Sequence, residues 1–330
     1  MTVRALITGI TGMDGSILAE LLLERGFEVH GLVRRQANRD FSNIAGIRDR
    51  LKLHSGDLAD QTSIDSAVKD SAPDYVFNLA AQSHVGESFH QPVFTGEVTG
   101  LGAVRVFEAV RRFADQARVY QASSSELFGR ADAPQNEDTP MNPVSPYGIS
   151  KLYAFHAART YRSAYHLFIS NGILFNHEHP RRGPEFVTRR ITLGLAGIAA
   201  RRGGRLQLGD PNPRRDWGWA PDYCDLMLRM LEAREPLDLV GATGETHTVR
   251  EFADTACGLL NLDPSVVDWG TNRQLRPTEI GELRGDASRA NTVLGWTPTV
   301  RFPELVRRMV ASDFARISGR PPLLGAGRPV

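Results

Sequence analysis

The sequence predicts an α/β protein: a doubly wound parallel sheet with a smaller C-terminal unit interleaved with it. Three observations lead there. Short apolar runs alternate with stretches of 3.6-residue periodicity through the first half of the chain. Those runs are continuously apolar, which suits strands covered by helices on both faces. A glycine-rich turn, "ITGITGMDGS", joins the first run to the first helical stretch.

The strands are expected at 4–8 ("RALIT"), 27–33 ("FEVHGLV"), 51–55 ("LKLHS"), 74–80 ("DYVFNLA"), 118–123 ("RVYQAS") and 167–174 ("LFISNGIL"). Between them, 16–25, 62–71, 100–113 and 145–165 carry helical spacing. The last of these opens with Ser145 in an N-cap position and Pro146 in the first helical position. After about residue 176 the texture changes to more Pro, Gly and Arg. Elements persist there: a helix near 187–202, another starting with "APDYCDLMLRMLEA", a strand at 237–241 and a helix from "TVREFADTACGLL". In that last stretch Thr248 and Glu251 have the spacing of a capping box. The final "GRPPLLGAGRPV" has too little patterning to pack and is expected to be a loose tail.

With 330 residues, 41% of them hydrophobic, the chain can bury a sizeable core. Its net charge of +1 argues against a nucleic-acid partner or a polybasic membrane contact. Arginines often come in pairs, such as Arg111/Arg112 and Arg189/Arg190, and on helices such pairs read as solvated surface. Two cysteines, Cys224 and Cys257, sit inside apolar helical patterns, as small core residues in a reducing compartment would. No metal-ligand spacing and no apolar run of membrane-spanning length are seen, and the N-terminus enters a strand directly. A cytoplasmic protein is expected.

The glycine turn places Gly9, Gly12 and Gly15 between strand and helix in a GxxGxxG spacing. Glycines there let the backbone approach a pyrophosphate, which lies against the helix N-terminus. An ordinary strand–helix turn is the plainer alternative. A ribose 2′-hydroxyl is usually met by an acid about 20 residues on. Here the second strand ends in "GLVRRQ", placing Arg34 and Arg35 where that acid would stand. Arginine pairs with a 2′-phosphate, so NADP is expected over NAD. Asp57, in "SGDL", is either an adenine contact or a turn aspartate.

Tyr147 and Lys151 are four residues apart on one helix face in "SPYGISK". A phenol with a pKa near 10 is a poor base until a cation one turn away stabilises its phenolate. The stretch "SSSELFG" sets a lone acid, Glu126, among serines at the end of the fifth strand. Taken by itself it reads as a solvated turn acid.

Taken together, the glycine loop, "NLAAQS", the serines and the Tyr147/Lys151 pair resemble the extended short-chain dehydrogenase/reductase superfamily, which has a Rossmann fold. Within it the chain is similar to the GDP-mannose 4,6-dehydratase family. That likeness runs through "LITGITGMDGS", "YQASSSELFG", "NGILFNHEHPRRGPEFVTRRIT", "RDWGWAPDY" and "RPTEIGELRGD".

The resemblance implies that Ser124, Glu126, Tyr147 and Lys151 are catalytic. NADP would be held by Gly9, Thr11, Gly12, Met13, Asp14, Gly15, Arg34, Arg35, Asp57, Leu58, Leu79, Ala80, Ala81, Ser83, Lys151, His177 and Arg182. It implies a nucleotide-sugar substrate, GDP-mannose or a related GDP-sugar such as a heptose, met by Asn176, Arg190, Arg215, Arg276 and Glu279. A homotetramer is implied too, with "RRQANRDFSN" resembling a loop that reaches a neighbouring subunit. Residues 1–175 would form the cofactor domain, with segments around 210–250 returning to it, and 176–330 mainly the nucleotide-sugar domain. Four positions depart from the family pattern: Ser124 for threonine, Met13 for glutamine, and Phe94 and Phe128 for tyrosines. A reductase or epimerase on the same scaffold would need Ser124, Tyr147 and Lys151 but no acid at 126. A catalytically idle NADP-binding regulator would typically have lost the tyrosine or the lysine.

Overall fold

A computed structural model describes residues 2–34, 40–201, 203–270, 278 and 280–320. Six strands form in chain order: β1 (Arg4–Thr8), β2 (Glu28–Val33), β3 (Leu51–Ser55), β4 (Tyr75–Asn78), β5 (Arg118–Ala122) and β6 (Ile169–Leu174). A seventh comes from much later in the chain, Asp238–Gly241, and pairs with β6. The order across the sheet is β3, β2, β1, β4, β5, β6 and then this late strand, with every pairing parallel. The order reverses between β1 and β4. A doubly wound sheet opens its ligand crevice at that point, beyond the strand C-termini.

Successive side chains on the strands feed two cores. Ile7, Phe77 and Tyr120 face one layer, while Leu6, Val76 and Val119 face the other. The first layer is α1 (Met13–Glu24), joined by the helix Ala220–Glu232, whose Tyr223, Leu226, Met227 and Met230 are fully buried. The second layer is α2 (Gln61–Ser71), two short helices α3 (Val85–His90) and α4 (Pro92–Thr95), α5 (Gly102–Phe113) and α6 (Pro146–Tyr165). A π-helical turn, Gly96–Leu101, leads into α5 where 100–113 was expected to be one helix. Gly100 in that turn lies close to the backbone of α6, and a Cβ there would stand 3.5 Å from the Ser150 carbonyl oxygen.

The remaining chain builds a third core with the elements that do not return to the first layer and its sheet. This part of the chain comprises β7 (Asn176–Glu178), α7 (Val187–Arg201), β8 (Leu206–Leu208), β9 (Arg214–Arg215) and β10 (Trp217–Trp219). Then follow α8 (Ala220–Glu232), β11 (Asp238–Gly241), β12 (His247–Thr248), α9 (Val249–Leu259), β13 (Val267–Trp269), β14 (Glu282–Leu283), α10 (Ser288–Leu294) and α11 (Phe302–Ser318). The capping box at the start of α9 forms as expected: Glu251 N donates to Thr248 Oγ1 at 3.0 Å, and Thr248 N to the Glu251 carboxylate at 2.7 Å.

Helix α11 was not read from the sequence. Its apolar stripe of Leu305, Val306, Met309 and Val310 is interrupted by Asp313, which breaks the hydrophobic period. Asp313 is fully buried because α7 supplies its partners. Arg189 forms an ion pair with it, and Thr192 Oγ1 donates to it at 2.6 Å. Arg189 is therefore no solvated surface arginine. Cys224 and Cys257 are both buried and free. Among the described residues no helix is long and apolar enough to cross a membrane.

Candidate active site

The C-terminal ends of β1, β4 and β5 carry the candidate residues to one place. After β1 the chain turns at Gly9, whose φ of +73° suits glycine, and Gly12 N closes the turn on Gly9 O at 3.0 Å. Helix α1 then starts so close to that turn that a Cβ on Gly15 would stand 2.3 Å from Gly9 O. The turn and the first amides of α1 thus carry no Cβ at Gly9, Gly12 and Gly15. That is the shape a dinucleotide pyrophosphate needs. Thr11, Gly12, Leu79, Ala80, Ala81 and Ser83 all keep exposed or partly exposed positions on the two loops that flank the crevice.

Other expected cofactor residues are placed differently. The Met13 side chain packs into the core beneath the loop, and Leu58 is buried under α5 with its carbonyl taken by Arg105 Nη1 at 3.1 Å. Asp57 closes a local turn, its carboxylate accepting from Ala59 N at 2.9 Å. Arg34 is exposed directly after β2, while Arg35 lies outside the described residues.

Asp14 turns inward. Its Oδ2 meets His177 Nε2 at 3.0 Å, and His177 Nδ1 meets Phe175 O at 2.8 Å. Burial alone would lower the imidazole, but Asp14 raises it above its ordinary value, and His177 in turn lowers Asp14. Two acceptors on one imidazole favour a proton on each ring nitrogen, the direction in which both groups are shifted. The His177 ring also stacks on Tyr223 at 4.5 Å, fixing β7 against α8.

The catalytic candidates converge on the next strand end. Ser124 accepts from Glu126 N at 3.2 Å and caps the short turn Ser125–Leu127. Its hydroxyl lies near enough to the Tyr147 phenol to favour the phenolate. Gly148 lets the first turn of α6 pass over the acid, since a Cβ there would stand 2.9 Å from Glu126 O. Glu126 is only 8% exposed, and the two residues after it, Leu127 and Phe128, enter an apolar cluster with Phe155, Ile173 and Phe175. It is therefore no solvated turn acid. Phe128, one of the departures from the family pattern, is fully buried and stacks on Phe175 at 6.0 Å, whereas Phe94 is 45% exposed.

Ser145 caps α6 through Gly148 N at 3.0 Å, which orients Tyr147 and Lys151 as their spacing predicts. Burial, with Glu126 adding to it, pushes Tyr147 up to about 12, while Ser124 and Arg182 pull the other way. Lys151 Nζ donates to Ala122 O at 2.7 Å and lies 5.8 Å from the Tyr147 ring centre. Burial lowers Lys151 to about 8. The phenol therefore stays protonated in the chain alone and needs further positive charge beside it to ionise.

Arg182, expected at the cofactor, has its guanidinium 3.7 Å over the Phe186 ring and its Nε 3.5 Å from Glu178. Its charge reaches Tyr147, Asp14 and His177 alike. Asn176 opens β7, opposite Trp217. Arg190 lies one turn into α7, with Nη2 3.4 Å from Glu185 O. Arg215 is 8% exposed and spends Nη1 on the carbonyls of Arg214, Ile280 and Gly281. Arg276 and Glu279 lie outside the described residues.

Three polar residues that the sequence reading left without a role are also buried here: Thr8, Asn78 and Gln121 form a hydrogen-bonded row across the ends of β1, β4 and β5. Polar side chains at buried strand ends were the signal for them.

Residues 6–309 match the family described as GDP-mannose 4,6 dehydratase. GDP-mannose 4,6 dehydratase 1 of Arabidopsis thaliana is 46% identical, over 98% of this chain and 93% of that protein. The Homo sapiens GDP-mannose 4,6 dehydratase is 44% identical, over 94% of this chain and 91% of its own length. Among solved structures, DesIV, a dTDP-glucose 4,6-dehydratase from Streptomyces venezuelae with NAD bound, superposes with a TM-score of 0.84. It is 25% identical and covers 95% of this chain and 97% of its own. With nearly the whole length matched and the acid, tyrosine and lysine gathered at one crevice, the chain belongs to the GDP-mannose 4,6-dehydratase family.

Proposed function

We propose that the chain is a hydro-lyase that converts GDP-mannose to GDP-4-keto-6-deoxymannose and water, with NADP as a recycled cofactor. A bound nicotinamide dinucleotide would accept the hydride from C4 of the sugar and return it to C6, so no net oxidation occurs. The chain's own residues handle the protons. Ser124 orients the C4 hydroxyl, and Tyr147, ionised with the help of Lys151, takes its proton as the 4-ketone forms. The ketone acidifies the C5 hydrogen, which Glu126 removes and passes to the departing C6 hydroxyl. C5 is later reprotonated, and the proton taken from O4 balances that gain, leaving one water lost overall.

The observation that carries this reading is the burial of Glu126 near Tyr147, its charge felt by the phenol. A reductase or epimerase has no use for an acid held there. Incubating purified protein with GDP-mannose in deuterated water tests it. Product should form with deuterium at C5, and Glu126→Gln should lower its rate by roughly 100- to 10,000-fold while nucleotide-sugar binding persists. Full-speed elimination by Glu126→Gln would overturn the assignment.

NADP is preferred over NAD because Arg34 stands exposed at the end of β2, with Arg35 next to it in sequence, where an acid would reject a 2′-phosphate. Arg34→Ala combined with Arg35→Ala should weaken NADP binding by about tenfold or more and NAD binding far less. Equal losses for both dinucleotides would contradict the preference. A homotetramer is part of the same proposal, on the likeness of the segment after β2 to a subunit-bridging loop.

A further inference from the structure

Lys151 has one hydrogen-bond acceptor among the described residues, the carbonyl of Ala122 at 2.7 Å. That same carbonyl accepts from Gln121 Nε2 at 3.0 Å, so both of its lone pairs are used. Gln121 Oε1 accepts from Asn78 Nδ2 at 2.7 Å, and Asn78 Oδ1 accepts from Thr8 Oγ1 at 2.7 Å. Thr8, Asn78 and Gln121 are 1%, 2% and 1% exposed, and they are register partners across β1, β4 and β5.

The row can be polarised in one direction only. Thr8 Oγ1 accepts from the backbone amides of Leu79 and Ala80, each at 3.1 Å, which takes up its lone pairs. Its single proton must therefore go to Asn78 Oδ1. Asn78 is left to present its amide nitrogen to Gln121, and Gln121 must answer with oxygen and turn its own nitrogen to Ala122 O. Backbone amides, which cannot flip, set the orientation of both side-chain amides. The row begins at the residue before the glycine turn, grips the loop carrying Leu79 and Ala80, and ends at the anchor of Lys151.

We infer that Gln121 is a positioning residue for Lys151, held in one orientation by the Thr8–Asn78 chain, so that the two walls of the cofactor crevice and the lysine keep a common register. The inference rests on the role given to Lys151 above. By sharing the carbonyl and turning the positive end of its amide toward the ammonium, Gln121 limits how strongly Ala122 O can hold Lys151. The amine keeps donors for the phenol and for a ligand. A space-filling role would leave the lysine's titration untouched.

The chain contains three lysines, Lys52, Lys69 and Lys151, so lysine labelled with carbon-13 at Cε yields three side-chain signals. Lys151 should be recognised by its titration near 8 and by its loss in Lys151→Met. In Gln121→Leu its midpoint should rise by about half a pH unit or more, because the competing amide dipole is gone. In Gln121→Glu, which keeps the shape and adds a carboxylate beside the amine, it should rise by more than about one unit.

In turnover assays of the Gln121→Leu protein, kcat should fall about tenfold with KM for GDP-mannose within about threefold of wild type. The acid limb of its pH profile should move to higher pH as the phenol loses its neighbour. An unmoved Lys151 titration in Gln121→Glu overturns the inference, including when Gln121→Leu does not fold. The titration is read without substrate, so failure of wild type to dehydrate GDP-mannose would count against the proposed reaction and not against the positioning.

Discussion

Lys151 is the residue at which fold and chemistry pull hardest against each other. Burial lowers it from 10.5 to about 8, a difference worth roughly 3 kcal/mol against the folded state at neutral pH. Between those two pH values the unfolded chain binds one more proton there than the native one, so this penalty is relieved and stability rises with pH across that window. Denaturant melts of wild type and Lys151→Met should therefore diverge in pH dependence. The wild-type chain should gain on the variant from about pH 8 to 10 by up to roughly 3 kcal/mol, with both otherwise parallel. A constant difference over that range would show that Lys151 is not desolvated as described. Tyr147 shows the complementary effect. Held at about 12, it would act as a base in the proposed reaction only once a ligand brings positive charge.

At the scale of elements, the buried pair Arg189–Asp313 joins α7 to α11 inside the third core. Burial lowers Arg189 to about 10, yet its charge persists at neutral pH. Removing one partner strands the other in an apolar layer. Asp313→Ala should cost about 3–5 kcal/mol in denaturant melts, whereas Arg189→Met with Asp313→Leu should regain most of that loss. If the double variant were no better than the single, the pair would be acting through shape and not charge. This pair also shows why α11 escaped the sequence reading. An aspartate in the stripe breaks the hydrophobic period, and nothing local tells that an arginine more than a hundred residues earlier will meet it. Helix α9, by contrast, announces itself through Thr248 and Glu251, because a capping box is satisfied within four residues.

For the molecule as a whole, the consequential feature is the return of the chain to its first layer. Helix α8 supplies Tyr223, Leu226, Met227 and Met230 to the core over β1, β4 and β5, and β11 pairs with β6 along its length. A fragment of residues 1–175 would expose that core face and leave β6 as an open edge. It should lack a cooperative melt and near-ultraviolet structure, and an independently folding fragment would refute this account of the interleaving. The six early strands, the glycine turn, the capped start of α6 and the pairing of Tyr147 with Lys151 were legible in the sequence. Each depends on spacing within one strand, turn or helix. The inward turn of Asp14 onto His177 and the row from Thr8 to Gln121 were not, because their partners lie 43 to 163 residues apart in the chain, and neither was the burial of Glu126. Local periodicity and end-capping therefore determined which elements form and which chemical groups they carry. The packing of strand ends against one another decided which of those groups are desolvated, and so which hold a charge, orient a neighbour or move a proton.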